Sequence, residues 1–193
     1  NKKNFNLQNR CILITGASSG IGEHASIMFA KAGAKVVAMA RRFDKLEKIE
    51  KKIENFNGSY FPFKFDVSDH DNLEKKIIEI EKKVAPVDVL INNAGITISK
   101  RIFEHSFDDW RKVMDVNLDA AWNISQTVAA KMSQRKNLPN GGASIINISS
   151  IAATKVLKYV PAYVASKAAL SHLTRMMATE LAGTNIRVNS IAP

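Results

Sequence analysis

Cys11-Ile-Leu-Ile-Thr15-Gly16-Ala-Ser-Ser-Gly20-Ile-Gly22-Glu-His-Ala-Ser-Ile-Met-Phe-Ala30 decides the fold. Its first four residues are a short apolar, largely β-branched run, the pattern of a buried strand. Three glycines follow, and from Gly20 the apolar residues recur at helical spacing. The sequence therefore reads strand, glycine-rich turn, helix. Such a turn lets backbone approach a pyrophosphate closely: Gly16 permits the sharp turn, Gly20 removes a side chain at the phosphates, and Gly22 lets the helix pack on the strand. The free N–H groups at the helix start then face the anion. The glycine spacing differs from the common dinucleotide pattern G-x-G-x-x-G, so the context of strand before and helix after carries more weight than the glycines.

Outward from this unit, Lys35-Val-Val-Ala-Met-Ala40 reads as a second strand, ending in Ala40 and followed by Arg41 and Arg42. A ribose 2′-hydroxyl calls for an acidic residue about twenty positions beyond the glycine turn, and a 2′-phosphate calls for arginine. The arginine pair, able to bind phosphate through charge-assisted bonds, favours NADP over NAD. The alternative is two solvated arginines at a helix start. Asp44–Glu54 reads as a second helix and Tyr60–Phe65 as a third strand. Asp66-Val-Ser-Asp69 reads as the turn that caps a third helix running to Val84. Asp66 is suited to accept from an adenine amino group or to close a turn. Val87–Ile91 reads as a fourth strand opened by Pro86, and its end, Asn92-Asn-Ala-Gly95, as a brace for the glycine turn.

Phe107 to about Arg135 reads as one long helix with Asn117 inside it. A buried amide there must be hydrogen-bonded, and it either is satisfied by backbone or distorts the helix near a reacting centre. Asn137–Gly142 reads as a surface loop. Ser144–Ile148 is expected as a fifth strand delivering Ser149 and Ser150 at its C-terminal end, where open α/β sheets bind ligands. Tyr163–Leu181 is expected as a helix ended by Gly183, and Ile186–Ala192 as a sixth strand. Tyr163 and Lys167 are four apart, so a helix stacks them on one face. A phenol with an ordinary pKa of roughly 10 needs a fixed cation beside it to work as an acid–base group near neutrality, and Lys167 is placed to be that cation.

Strands alternating with helices throughout give an α/β, doubly wound parallel sheet in three layers, a Rossmann fold, with residues 1–193 as one nucleotide-binding domain. The 193 residues are 46% hydrophobic and 24% charged, ordinary for a globular protein, and the formal charge of +10 suits an acidic partner. In Lys45–Lys52 and Lys75–Lys83 the cations interleave with Glu and apolar residues, as on solvated helix faces, so no nucleic-acid partner is expected. A single cysteine, Cys11, excludes an intrachain disulfide. The polar start Asn1–Asn6 does not resemble a signal peptide, and no apolar run is long enough to span a bilayer, so the expectation is a cytoplasmic protein without membrane contact. His24, His70, His105 and His172 form no metal-ligand pattern with Cys11 or with one another, and no metal is expected.

The motifs together resemble the short-chain dehydrogenase/reductase family in its single-domain form. They are Thr15-Gly16-Ala-Ser-Ser-Gly20-Ile-Gly22, the Asp66 turn, Asn92-Asn-Ala-Gly95, Asn117, Ile148-Ser-Ser150, Tyr163-x-x-x-Lys167 and Arg187-Val-Asn-Ser-Ile-Ala-Pro193. The resemblance implies a catalytic set of Asn117, Ser150, Tyr163 and Lys167. In it Tyr163 is the acid–base group, Ser150 holds the substrate oxygen, Lys167 binds the nicotinamide ribose and favours the phenolate, and Asn117 positions a water that relays the proton. Ser149 would be structural. The implied cofactor site comprises Gly16, Ser18, Ser19, Gly20, Ile21, Gly22, Arg41, Arg42, Asp66, Val67, Asn93, Ala94, Gly95, Tyr163, Lys167 and Pro193, with NADP(H) as cofactor.

The implied reaction is reduction of a carbonyl or oxidation of a secondary alcohol. Asn92-Asn-Ala-Gly-Ile-Thr97 resembles the 3-oxoacyl-acyl-carrier-protein reductases, which points to a carrier-bound substrate, and the family implies a homodimer or homotetramer. The alternative is a catalytically silent nucleotide-binding regulator or scaffold. Ala153 stands where the family usually has glycine. The family also continues beyond Pro193 into a substrate-binding segment. The sequence is therefore read as lacking that segment, whether it is a fragment, the ordered part of a longer chain or a naturally short form.

Overall fold

β1 (Cys11–Thr15) is buried at every position and lies at the centre of the molecule. A computed structural model describes residues 6–193, so residues 1–5, within the stretch read as polar and without a signal peptide, lie outside the described residues. α1 (Gly20–Lys31) carries the chain from β1 to β2 (Lys35–Ala40), which pairs parallel with β1. α2 (Phe43–Glu54) and β3 (Ser59–Lys64) extend the same half outward. The chain then returns through α3 (His70–Lys83) to β4 (Val89–Asn92) on the other side of β1. Next come α4 (Phe107–Met114), a wide turn at Asp115–Asp119 and α5 (Ala120–Ser133), then β5 (Ala143–Ile148), α6 (Pro161–Glu180) and β6 (Ile186–Ile191).

The sheet order is β3-β2-β1-β4-β5-β6 with every pair parallel. This is the Rossmann arrangement expected from the alternation. Successive β1 residues feed opposite faces: Cys11 and Leu13 pack with α3, α5 and Met177 of α6, whereas Ile12 and Ile14 pack with α1 and α2. Two apolar layers therefore sandwich the sheet. Because strand order reverses between β1 and β4, the connections leave a crevice at their C-terminal ends, and ligand-binding residues gather there.

Four local readings change. The long helix expected over Phe107 to about Arg135 is interrupted by the wide π turn at Asp115–Asp119, with Asn117 buried inside it. β4 starts two residues late, because the Val87 N–H is taken by the Glu81 carboxylate and the Asp88 side chain accepts from the Cys11 N–H and faces Arg135. α6 begins earlier, with Pro161 in its first turn, where a missing N–H costs nothing. Gly183 does not end it: a short turn at Ala182–Thr184 follows, and Asn185 takes the left-handed conformation at φ 61°, which asparagine tolerates.

Candidate active site

The glycine turn does what its composition requires, with one change of role. Gly16 has φ +64°, and a Cβ there would lie 2.7 Å from the Ala94 Cα, so the glycine lets two loops touch. Gly20 has φ +57°, and a Cβ on it would meet nothing within 4 Å; it opens onto free space at the start of α1. Gly22 points inward. A Cβ there would sit 2.6 Å from both the Gly16 carbonyl oxygen and the Asn93 amide nitrogen, so Gly22 packs the helix on the turn and on Asn93. Ser19, the residue before α1, makes no side-chain cap, and the first-turn N–H groups are left for a ligand.

Asn93 braces this turn, donating from Nδ2 to the Thr15 and Gly16 carbonyls at 3.0 and 3.1 Å. The Thr15 hydroxyl accepts from the Asn93 and Ala94 N–H groups, both at 3.0 Å. Asn92, expected to share the task, turns to the opposite face and bonds Ser125 and Asn147, each at 2.8 Å.

At the end of β2 the arginines divide their work. Arg42 donates to the Ser18 hydroxyl from Nε (3.2 Å) and Nη2 (3.0 Å) and to the Ser19 hydroxyl at 2.8 Å. Arg41 faces Asp66 at 3.7 Å across an exposed gap. Asp66 closes a turn, accepting from the Ser68 N–H and hydroxyl at 3.1 and 2.8 Å. Gly16, Ser18, Ser19, Ile21, Arg41, Arg42, Asp66, Val67, Asn93, Ala94 and Gly95 line one cleft, together with Ala40, Ile96 and Val116. No carboxylate stands at the end of β2, and a guanidinium does.

Adjoining this cleft is a second cavity containing Ser150, Tyr163, Lys167, Ile21, Asn93, Gly95 and Pro193. β5 delivers Ser150, whose Oγ accepts from the Ala152 N–H at 3.1 Å. Ser149 donates to the Lys167 carbonyl and shares a 2.5 Å bond with Ser171, an anchoring position on α6. Lys167 is only 4% exposed, and its Nζ donates to the Ile148 carbonyl at 2.7 Å and lies 5.7 Å from the centre of the Tyr163 ring. Burial pulls its pKa from 10.5 down to about 8.

Asn117 reaches the same centre from behind. Its Oδ1 accepts from the Ile96 N–H at 2.8 Å, and its Nδ2 donates to the Ile96 carbonyl at 2.9 Å and to Ser166 Oγ at 3.1 Å. Gly95 stands between the two amide-and-amine ends: a Cβ on it would lie 3.5 Å from Asn117 Oδ1 and 3.6 Å from Lys167 Nζ. Ser166, Thr15 and Ile96 are thus part of the site although the sequence did not single them out for it. Only Ser166 carried a usable signal, as a serine next to Lys167 in the helix.

The open face above Gly20, the uncapped start of α1 and the guanidinium over two serines suit a phosphate-bearing dinucleotide, so the residues fit such a cofactor. Residues 10–193 match the model of the short chain dehydrogenase family. The chain belongs to that family. It is 36% identical to the 3-oxoacyl-acyl-carrier-protein reductase of Thermotoga maritima over 187 residues, covering 97% of this chain and 74% of the relative. Two solved short-chain dehydrogenase structures superpose closely. A 7α-hydroxysteroid dehydrogenase complexed with NADH and 7-oxo glycochenodeoxycholic acid gives a TM-score of 0.91 at 37% identity, covering 100% of this chain and 73% of that one. A gluconate 5-dehydrogenase from Burkholderia cenocepacia in complex with NADP and tartrate gives 0.89 at 34%, covering 98% and 72%. Family and fold thus agree with the sequence resemblance. Among the described residues, no helix is long and apolar enough to cross a membrane, and no group of three or more His, Cys, Asp or Glu could hold a metal ion.

Proposed function

We propose that this short-chain dehydrogenase interconverts a carbonyl and a secondary alcohol with NADP(H). The observation that carries the reading is that Lys167 Nζ and Asn117 Oδ1 meet beside Gly95 while Ser150 and Tyr163 line the same cavity as Gly95 and Lys167, next to the cleft of Arg42, Ser18 and Ser19. When bound, the dinucleotide supplies the hydride.

Every other requirement falls on the chain. A carbonyl gaining hydride develops negative charge on oxygen, and that oxygen needs a donor and a proton. Ser150, at the end of β5, is the donor; its Oγ–H is free because the bond it makes to Ala152 N–H uses the oxygen as acceptor. Tyr163 gives the proton, and the neighbouring ammonium of Lys167 favours the phenolate left behind. Asn117 holds the Ile96 backbone beside the site. Its Oδ1 keeps a second lone pair toward the Gly95 gap, where a water could pass the proton on to Lys167.

The choice of NADP rests on Arg42 and on Ala40, the last residue of β2, which offers no carboxylate to a ribose 2′-hydroxyl. A 3-oxoacyl thioester, carrier-bound, is the finer substrate reading, and assembly through the faces of α4, α5 and α6 into a dimer or tetramer is the finer reading of its partners. The first draws on the 3-oxoacyl-acyl-carrier-protein reductase relative, the second on the family resemblance. The presence of Asn117, Ser150, Tyr163 and Lys167 in the chain favours an enzyme over a catalytically silent nucleotide-binding regulator or scaffold.

Replacing Tyr163 with Phe is expected to lower NADPH-dependent carbonyl reduction at least a hundredfold, within the range general acid catalysis supplies, while leaving NADPH affinity nearly unchanged. Steady-state rates beside a fluorescence titration decide it; unchanged turnover would sink the mechanism.

A further inference from the structure

β3 closes one side of the sheet, and among the described residues no strand lies beyond it. Its sequence, Ser59-Tyr-Phe-Pro-Phe-Lys64, sets three aromatic residues and a single charge in six positions. Apart from the proline, that is the composition of a segment that pairs readily with copies of itself. α2 and α3 cover the two faces of the strand: Tyr60 is buried in the α2 layer, Phe63 and the following Phe65 in the α3 layer, and Phe61 packs against the latter. Between the two helices the strand's edge opens on a groove bordered by Glu50 of α2 and by Lys76, Glu79 and Lys83 of α3.

The direction of each backbone group on that edge follows from two observations. The Phe65 N–H donates to the Ala40 carbonyl, and the parallel ladder with β2 keeps one register from Lys35 opposite Ser59 to Ala40 opposite Lys64. Because backbone groups alternate sides along a strand, Phe61, Phe63 and Phe65 turn their N–H and C=O groups to β2, and Tyr60, Pro62 and Lys64 turn theirs outward. Pro62 has no N–H, so it stands where the ladder loses nothing by it. The outer edge therefore offers donors at Tyr60 and Lys64 and none between them.

A second copy adding to this edge about a two-fold axis would run antiparallel. The pairing that uses all three outward residues sets Tyr60 against Lys64 and Pro62 against Pro62. Such an opposed pair normally exchanges two N–H···O bonds. At the centre both donors are missing, each Pro62 carbonyl would be dehydrated without a partner, and the ring carbons standing in place of the two N–H hydrogens would face each other. Lys64, exposed on the same edge, is a further obstacle of the kind that edge strands carry.

We propose that Pro62 guards the β3 edge against self-addition, so that this surface accepts a second copy of the chain, edge to edge, once position 62 carries an N–H. Restoring the two central bonds is expected to tighten self-association about tenfold or more. The proposal is independent of the reaction at Tyr163 and of any assembly made through other faces.

The test compares the unaltered protein with Pro62→Val. Light scattering over a concentration series gives the mass, and amide hydrogen exchange gives the surface. In the unaltered protein the Tyr60 and Lys64 amides are expected to exchange quickly while those of Phe61 and Phe63 are protected. In Pro62→Val a species of at least twice the unaltered protein's mass is expected, and the amides at positions 60, 62 and 64 gain protection as concentration rises. Moving the proline two residues along the same edge, in P62V/K64P, is expected to return mass and exchange to those of the unaltered protein. Equal mass and exchange in Pro62→Val and the unaltered protein, assembly without protection at these three amides, or assembly that persists in P62V/K64P would each overturn the proposal. If Pro62→Val does not fold, Pro62→Ala, which restores the N–H with the smallest side chain, is judged by the same measurements.

Discussion

Lys167 is held in the fold at an energetic cost. Burial lowers its pKa from 10.5 to about 8, so the charged form is disfavoured in the folded protein relative to the unfolded chain. Between those values the unfolded chain binds more protons than the native one, so Lys167 makes stability rise as pH increases from about 8 to 10.5. Below about 8 the full penalty is present, on the order of 3 kcal/mol. Replacing Lys167 with Met removes this pH dependence and also the bond to the Ile148 carbonyl, a loss independent of pH. Urea unfolding of both proteins at pH 7 and pH 10 is expected to show the stability difference moving in favour of the native lysine by about 1 to 3 kcal/mol at the higher pH. A difference that stays constant would remove burial as the cause. The spacing of Tyr163 and Lys167 was legible in sequence because a helix fixes it. The burial of Lys167, the hydrogen bonds of Asn117 and the hub formed by Thr15 were not, because each depends on residues brought from β1, β4, the wide turn and α6.

The wide turn at Asp115–Asp119 is the element whose form most affects the site. It interrupts what the apolar spacing of Phe107 to Arg135 presents as one continuous helix, and it puts Asn117 inside while Val116 lines the cleft beside the glycine turn. Local propensity does not forecast such a turn; tertiary bonds hold it, and turns of this kind often mark functional sites. One tie comes from Asn117 itself, through Ile96 and Ser166. Another comes from His70 at the start of α3: its Nε2 meets Asp115 at 2.7 Å, while Nδ1 meets the Asn123 amide at 3.2 Å. His70 is therefore more than the ordinary helix residue its sequence context suggests. A double-mutant cycle with His70→Ala and Asp115→Ala is expected to give a coupling energy of about 1 kcal/mol in unfolding, and each variant is expected to weaken NADPH binding through Val116. Additive effects on stability would show that the two side chains do not act together.

For the molecule as a whole, sheet order and charge act on the same crevice. The strand-and-helix alternation indicated a doubly wound parallel sheet without fixing its strand order, and in the structure β1 and β4 lie side by side. That placement brings the glycine turn, Asn93 and the β5 end to one edge of the sheet. The sequence read Arg41 and Arg42 together as a phosphate-binding pair; in the structure Arg42 lies over Ser18 and Ser19, and Arg41 faces Asp66. A chain of formal charge +10 attracts any anionic dinucleotide, and that long-range part is screened over roughly 10 Å at 0.1 M salt. The contact between Arg42 and a 2′-phosphate would be short-range and would resist screening better. Raising salt is therefore expected to weaken NADH and NADPH binding in parallel at first while a preference for NADPH of about tenfold or more persists. In Arg42→Ala the preference should shrink toward equality at every salt concentration, with Lys at that position restoring only part of it because a point charge lacks the planar fork. Fluorescence titrations of both dinucleotides across a salt series measure this directly. A preference that vanished with salt in the unaltered protein, or survived intact in Arg42→Ala, would place 2′-phosphate recognition in the diffuse charge or on Arg41.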